Sequence, residues 1–61
     1  MDVLYTGRVR KGVQVIRVVQ GAKRTDFTWS VSRWRIIDAD TCRQALLYIG
    51  WHIKGARITR V

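Results

Sequence analysis

Val13-Gln14-Val15-Ile16-Arg17-Val18-Val19-Gln20 is the stretch that decides the fold: five of its eight residues are β-branched, and Lys11-Gly12 and Gly21 fence it on either side. Such side chains are stiff at χ1 and suit a pleated surface better than a helical turn. Apolar residues fall on both faces, Val13, Val15 and Val19 on one, Ile16 and Val18 on the other. That fits a central strand with a neighbour on each side.

Outward toward the N-terminus, Val3, Tyr5 and Val9 occupy odd positions and Thr6, Arg8 and Arg10 even ones. Period two over Val3 to Val9 predicts a strand with one wet face, joined to the central strand by a tight turn at Lys11-Gly12. On the other side, Gly21 to Asp26 reads as a basic turn, and a third strand begins at Phe27, where Phe27, Trp29 and Val31 alternate with Thr28, Ser30 and Ser32. The apolar phase then jumps to Trp34 and Ile36, which a bulge near Ser32-Arg33 or a bend explains.

Asp38 or Asp40 supplies a helix N-cap. From there Cys42, Ala45, Leu46, Ile49 and Ile53 recur at helical spacing, with Leu47, Tyr48 and Trp51 widening the apolar side. The spacing predicts a helix over about 40–54, ended by Lys54 and Gly55. Gly50 interrupts it, and the alternative is a helix ending there with a hairpin of 51–54 and 56–61 around Gly55. Arg57 to Val61 is in either case a short last strand. The expected fold is α+β: a small antiparallel sheet of three or four strands packed on one C-terminal helix, β-β-β-α with or without the final strand, in a single basic domain over 1–61.

Composition narrows the function classes. Sixty-one residues cannot enclose two cores, and 48% apolar with 26% charged residues is the composition of a folding chain. Cys42 is the only cysteine, so no intramolecular disulfide forms; with the single His52 it cannot complete a four-ligand zinc site. The four Asp form no spaced pair, His52 is solitary, and no phosphate loop or nucleophile elbow is present, so the expectation is neither an enzyme nor a metal or cofactor carrier. No run approaches a membrane span and Met1-Asp2-Val3-Leu4 is no secretory signal, which makes a cytoplasmic setting the expectation. The chain is expected to be a monomer or a homodimer.

Charge is the informative excess: twelve Lys and Arg face four Asp, a net of +8. Phosphates reward such an excess by counterion release, and nine of the cations are Arg, whose fork fits phosphate and guanine. With the odd faces of the first and third strands inward, Arg8, Arg10, Thr28 and Ser30 share the opposite face. Lys11, Lys23 and Arg24 clamp from the turns, Arg17 joins from the central strand, and Arg33 and Arg35 bracket Trp34. These ten charged and hydroxyl residues are the expected nucleic-acid contacts, with DNA ahead of RNA.

Each signal has a plainer reading. Charges on a sheet edge also deter aggregation, Trp34 suits a core as well as a stacking platform, and Cys42 suits a core. Ile16 and Val18 place an apolar strip on the wet face unless the central strand faces the other way. With an exposed Trp, that strip would anchor the alternative function, an inhibitor or adaptor binding the acidic surface of a partner protein.

Three strands followed by a helix, over roughly residues 3–54, resemble in topology the arm-binding domains of tyrosine recombinases and other domains that lay a three-stranded sheet into the major groove. The resemblance rests on element order, is carried by no sequence motif, and transfers no residue roles; it implies DNA as the partner.

Overall fold

The computed structural model describes residues 1–30 and 36–61. Its elements are β1 (Asp2–Tyr5), β2 (Val13–Gln20), β3 (Lys23–Ser30), α1 (Ala39–Tyr48) and β4 (Arg57–Arg60). They form an α+β fold, one open four-stranded sheet ordered β3-β2-β1-β4 with a single helix. β2 has a neighbour on each side, the central place expected of it.

β1, β2 and β3 are an antiparallel meander, whereas β4 adds parallel to β1, from Asp2↔Arg57 to Tyr5↔Arg60. The short final strand therefore exists, but it makes the sheet mixed and forms no hairpin around Gly55. A helix between β3 and β4 carries the chain back across the sheet, and a strand entered that way runs parallel to the one it joins.

Two-residue turns set both hairpins. Lys11 and Gly12 each have positive φ (51° and 74°), as a type I′ turn demands, and Arg10 and Val13 close it with mutual backbone hydrogen bonds of 3.2 and 2.9 Å. In the second hairpin only Gly21 (φ 61°) is left-handed, the type II′ pattern, so the turn is Gly21-Ala22 alone. The expected basic turn over 21–26 is thus corrected: Lys23 to Asp26 belong to β3, because a two-residue turn after Gln20 pairs Gln20 with Lys23 and runs the register to Val13↔Ser30. The supposed irregularity at Ser32-Arg33 lies outside the described residues.

β1 stops hydrogen bonding to β2 after Tyr5, although burial keeps alternating through Val9, with Gly7 and Val9 buried and Thr6, Arg8 and Arg10 exposed. From Tyr5↔Ile16 to Arg10↔Val13 the first segment advances five residues while the second advances three. The two extra residues form a bulge, and an even excess leaves side-chain parity intact. Gly7 (φ 76°) bends the chain there; its carbonyl accepts from the Ile37 N–H at 2.9 Å, and Arg8 pairs with Ile36 instead of β2.

The core is Val3, Tyr5 and Val9, Ile16 and Val18, Ile37, and Cys42, Ala45 and Leu46 of α1, with Phe27, Trp29, Trp51, Ile53 and Ile58 packed against it. Ile16 and Val18 are 1% and 2% exposed, so β2 turns its even residues to the helix. This settles the ambiguous strand: Val13 and Val15 lie on the open face. Gln14 shares the inward face and is buried beneath the bulge; its side-chain oxygen receives the Thr6 hydroxyl at 3.2 Å, and its amide donates to the Val15 carbonyl at 2.5 Å.

Asp38 caps α1, its carboxylate accepting from the Thr41 N–H at 2.7 Å. The helix ends at Tyr48, short of the predicted residue 54, and the left-handed Gly50 (φ 81°) closes it: the Gly50 N–H donates to Leu47 and the Trp51 N–H to Leu46, both at 2.9 Å, a Schellman closure. It turns Trp51 back onto the core, edge to face with Phe27 at 5.1 Å. Leu47 and Tyr48, expected on the apolar side, are exposed, since the buried stripe is only Cys42, Ala45 and Leu46 wide.

Candidate functional site

The open face of the sheet carries the even residues of β1 and β3 and the odd residues of β2 and β4: Asp2 and Leu4, then Val13, Val15, Arg17 and Val19, then Arg24, Asp26, Thr28 and Ser30, then Arg57 and Thr59. Parity through the bulge adds Arg8 and Arg10 at the end where β2 begins and β3 finishes. Thr28 and Ser30 are exposed there, as expected. The arrangement is neither a hydroxyl and guanidinium plane nor an apolar one, but valines with guanidinium groups around them.

Arg8 and Arg10 are held on defined backbone. The Arg8 N–H donates to the Thr6 hydroxyl oxygen at 3.3 Å, that hydroxyl also reaches the Arg8 carbonyl at 3.0 Å, and Arg10 closes the hairpin turn that carries Lys11. Arg8 and Arg10 line one groove of about 380 Å³ with Thr6, Val13, Gln14 and Val15. Among the described residues none of Arg8, Arg10 and Lys11 meets a carboxylate within ion-pair distance.

The middle of the face is different. Asp26 sits between Arg17 (3.2 Å) and Arg24 (3.3 Å), and the hydrogen bond from Arg17, with the charge of Arg24 behind it, holds the Asp26 carboxyl below its ordinary value. One carboxylate shared by two guanidiniums leaves one positive charge uncompensated, so Arg17 and Arg24 contribute less than two free cations. Exposed pairs of this kind are screened by solvent and contribute little, so phosphate can compete for them. Lys23 begins β3 at the far end with inward parity, apart from Arg8, Arg10 and Lys11. Arg33 and Arg35, with Trp34, lie outside the described residues.

Arg57, Thr59 and the exposed valines were missing from the expected site. The alternation of Arg57-Ile58-Thr59-Arg60 carried the signal for the first two, but only the parallel pairing with β1 decides which face they take. Arg60 points the other way, its side chain lying over Gly7 where a Cβ would collide with it. Arg43 pairs with Asp40 at 2.7 Å on α1, away from the open face.

Cys42 is buried, and desolvation pushes its thiol up to about 11, with Arg43 pulling weakly the other way. Among the described residues no group of three or more His, Cys, Asp or Glu is placed to hold a metal ion, and no helix is long and apolar enough to cross a membrane. No protein-family model, curated protein or solved structure matches the chain.

Proposed function

We propose that this chain is a nucleic-acid-binding accessory or regulatory protein, with DNA preferred to RNA, that contacts its partner through the bulged basic end of the open sheet face and acts by occupying it. The observation that carries the reading is the trio Arg8, Arg10 and Lys11: three cations within four residues, on backbone fixed by a bulge and a tight turn, without a carboxylate partner among the described residues. A net charge of +8 costs self-repulsion, and a polyphosphate relieves it most where the cations are already gathered. Thr28 and Ser30 on the same face supply neutral donors for backbone or base edges.

A second reading has its own support. Val13 and Val15 are 38% and 46% exposed on a face that also bears guanidiniums, the make-up of an interface core with a charged rim. The anchors change, however: Ile16 and Val18 are core residues and Trp29 and Trp51 are half-buried, so an acidic protein partner would dock on Val13, Val15 and Leu4.

The two readings separate when the chain is titrated with a labelled DNA duplex, a structured RNA and polyglutamate at about 50 and 200 mM salt. The expected order is duplex, then RNA, then polyglutamate, with duplex affinity falling steeply with salt. Polyglutamate bound as tightly as the duplex would remove the nucleic-acid reading in favour of the second.

A further inference from the structure

Resting on that reading, we propose that the groove between the Thr6–Arg10 bulge and the open face of β2 is a pocket for one nucleotide unit, its phosphate taken by Arg8 and Arg10 and its sugar and base edge laid on Val13 and Val15. The groove has two chemistries side by side. Arg8 and Arg10 are two residues apart with the same parity, so their Cα atoms stand about 6.6 Å apart and their side chains leave one side of the chain. Two guanidiniums so placed can enclose one phosphate from both flanks, each with a planar fork of donors.

Beside them Val13 and Val15 present apolar surface to water instead of to the core. A site for phosphate alone gains nothing from exposed valines, and a site for an apolar chain gains nothing from two carboxylate-free guanidiniums. A nucleotide joins both needs within one covalent unit. The groove, about 380 Å³, falls inside the range of roughly 300–1,000 Å³ usual for small-ligand sites.

The walls are set before any ligand arrives. The Thr6 hydroxyl is engaged with Arg8 and Gln14, the Gly7 carbonyl with Ile37, and Arg10 with Val13, so the backbone beneath both guanidiniums loses little freedom on binding. A second hollow of about 270 Å³, lined by Leu4, Tyr5, Thr6, Val15, Arg17 and Val61, shares Thr6 and Val15 with the first. Arg17 at this adjoining hollow gives a following nucleotide a cation on the same face.

The test is NMR of the ¹⁵N-labelled chain titrated in parallel with thymidine 5′-monophosphate, inorganic phosphate, glycerol 3-phosphate and duplex DNA. The expected result is saturable movement of the Thr6, Arg8, Arg10, Val13, Gln14 and Val15 amides by the mononucleotide, with an affinity in the millimolar range. Inorganic phosphate and glycerol 3-phosphate, the latter standing for a lipid headgroup, should bind several-fold more weakly and leave the valine amides in place. Arg10→Gln should weaken all three small ligands, whereas Val15→Thr should bring the mononucleotide down to the level of phosphate and leave phosphate unchanged.

Equal affinity for mononucleotide and glycerol 3-phosphate would overturn the pocket, and so would shifts spread evenly over Lys23, Lys54 and Arg57. A chain that binds duplex but ignores the mononucleotide loses the pocket and keeps the proposed function. A chain that binds neither loses both.

Discussion

Replacing Arg8 and Arg10 together by Gln should flatten the salt dependence of duplex binding by a calculable amount. Each phosphate neutralised on B-form DNA contributes about −0.9 to the slope of log affinity against log salt. With Arg8 and Arg10 sharing one phosphate and Lys11 taking a second, the native slope is near −1.8, and raising salt from 50 to 200 mM weakens binding about 12-fold. Leaving only Lys11 gives a slope near −0.9 and a loss of about 3–4-fold over the same range. Fluorescence anisotropy at four salt concentrations resolves that difference, and both side chains are exposed outside the core, so the fold should persist, as circular dichroism can verify. Lys54→Gln is the control, because Lys54 lies in the segment leading to Arg57, at the opposite end of the sheet, and its slope should match the native one. A double variant that keeps the steep slope would show that the phosphates are held elsewhere.

Other outcomes follow from single features. Gly7→Ala should destabilise by about 1 kcal/mol or more, since a left-handed Ala costs roughly 1–2 kcal/mol, partly offset by reduced freedom of the unfolded chain. The new Cβ also meets the Arg60 side chain, so adding Arg60→Ala should restore part of the melting temperature; a strictly additive double-mutant cycle would deny that contact. Asp38 is held below its ordinary 3.8, chiefly by the Thr41 N–H, so its stabilising effect is complete above the unfolded value and fades as pH drops through the folded one. Asp38→Asn should therefore show a shallower stability loss between about pH 5 and 2 than the native chain, measured by urea unfolding. Cys42, buried with its thiol raised to about 11, should resist a thiol reagent at pH 8 in the folded chain and react at once in denaturant; rapid labelling of the native state would contradict its burial.

Much of this fold could be read from residues because local signals agreed. The β-branched run at Val13–Gln20, the Lys11-Gly12 turn and Asp38 before a helical stripe each act over a few residues, and each element formed where its signal stood. What could not be read was set by pairing across distance. Lys23 to Asp26 are polar and look like a loop, yet eight residues of β2 draw all of them into a ladder once the turn is limited to Gly21-Ala22. The inward face of β2 depends on which of two apolar sets meets α1, and the choice of Ile16 and Val18 follows from the register with Val3 and Tyr5. Gly50 had two readings as a helix interior or a terminus, and the Trp51 ring decides, because the Schellman turn is what brings it against Phe27.

The candidate site was half legible for the same reason. Alternation placed Arg8, Arg10, Thr28 and Ser30 on the open face, and an even-numbered bulge kept that parity although the strand itself ended at Tyr5. Sequence could not show how the four carboxylates would be shared out. Asp38 and Asp40 serve α1, Asp26 lies between Arg17 and Arg24, and Asp2 stands opposite Val19 at the far end of the sheet. None of the four comes within ion-pair distance of Arg8, Arg10 or Lys11. The bulge that fixes the backbone there and the lack of a carboxylate partner thus act on the same spot, one limiting the motion of the cations and the other leaving their charge unpaired. Adding a carboxylate, as in Ser30→Asp opposite Val13, would oppose their field without touching either arginine, and Ser30→Ala removes the same hydroxyl without the charge, so the two substitutions together separate field from contact.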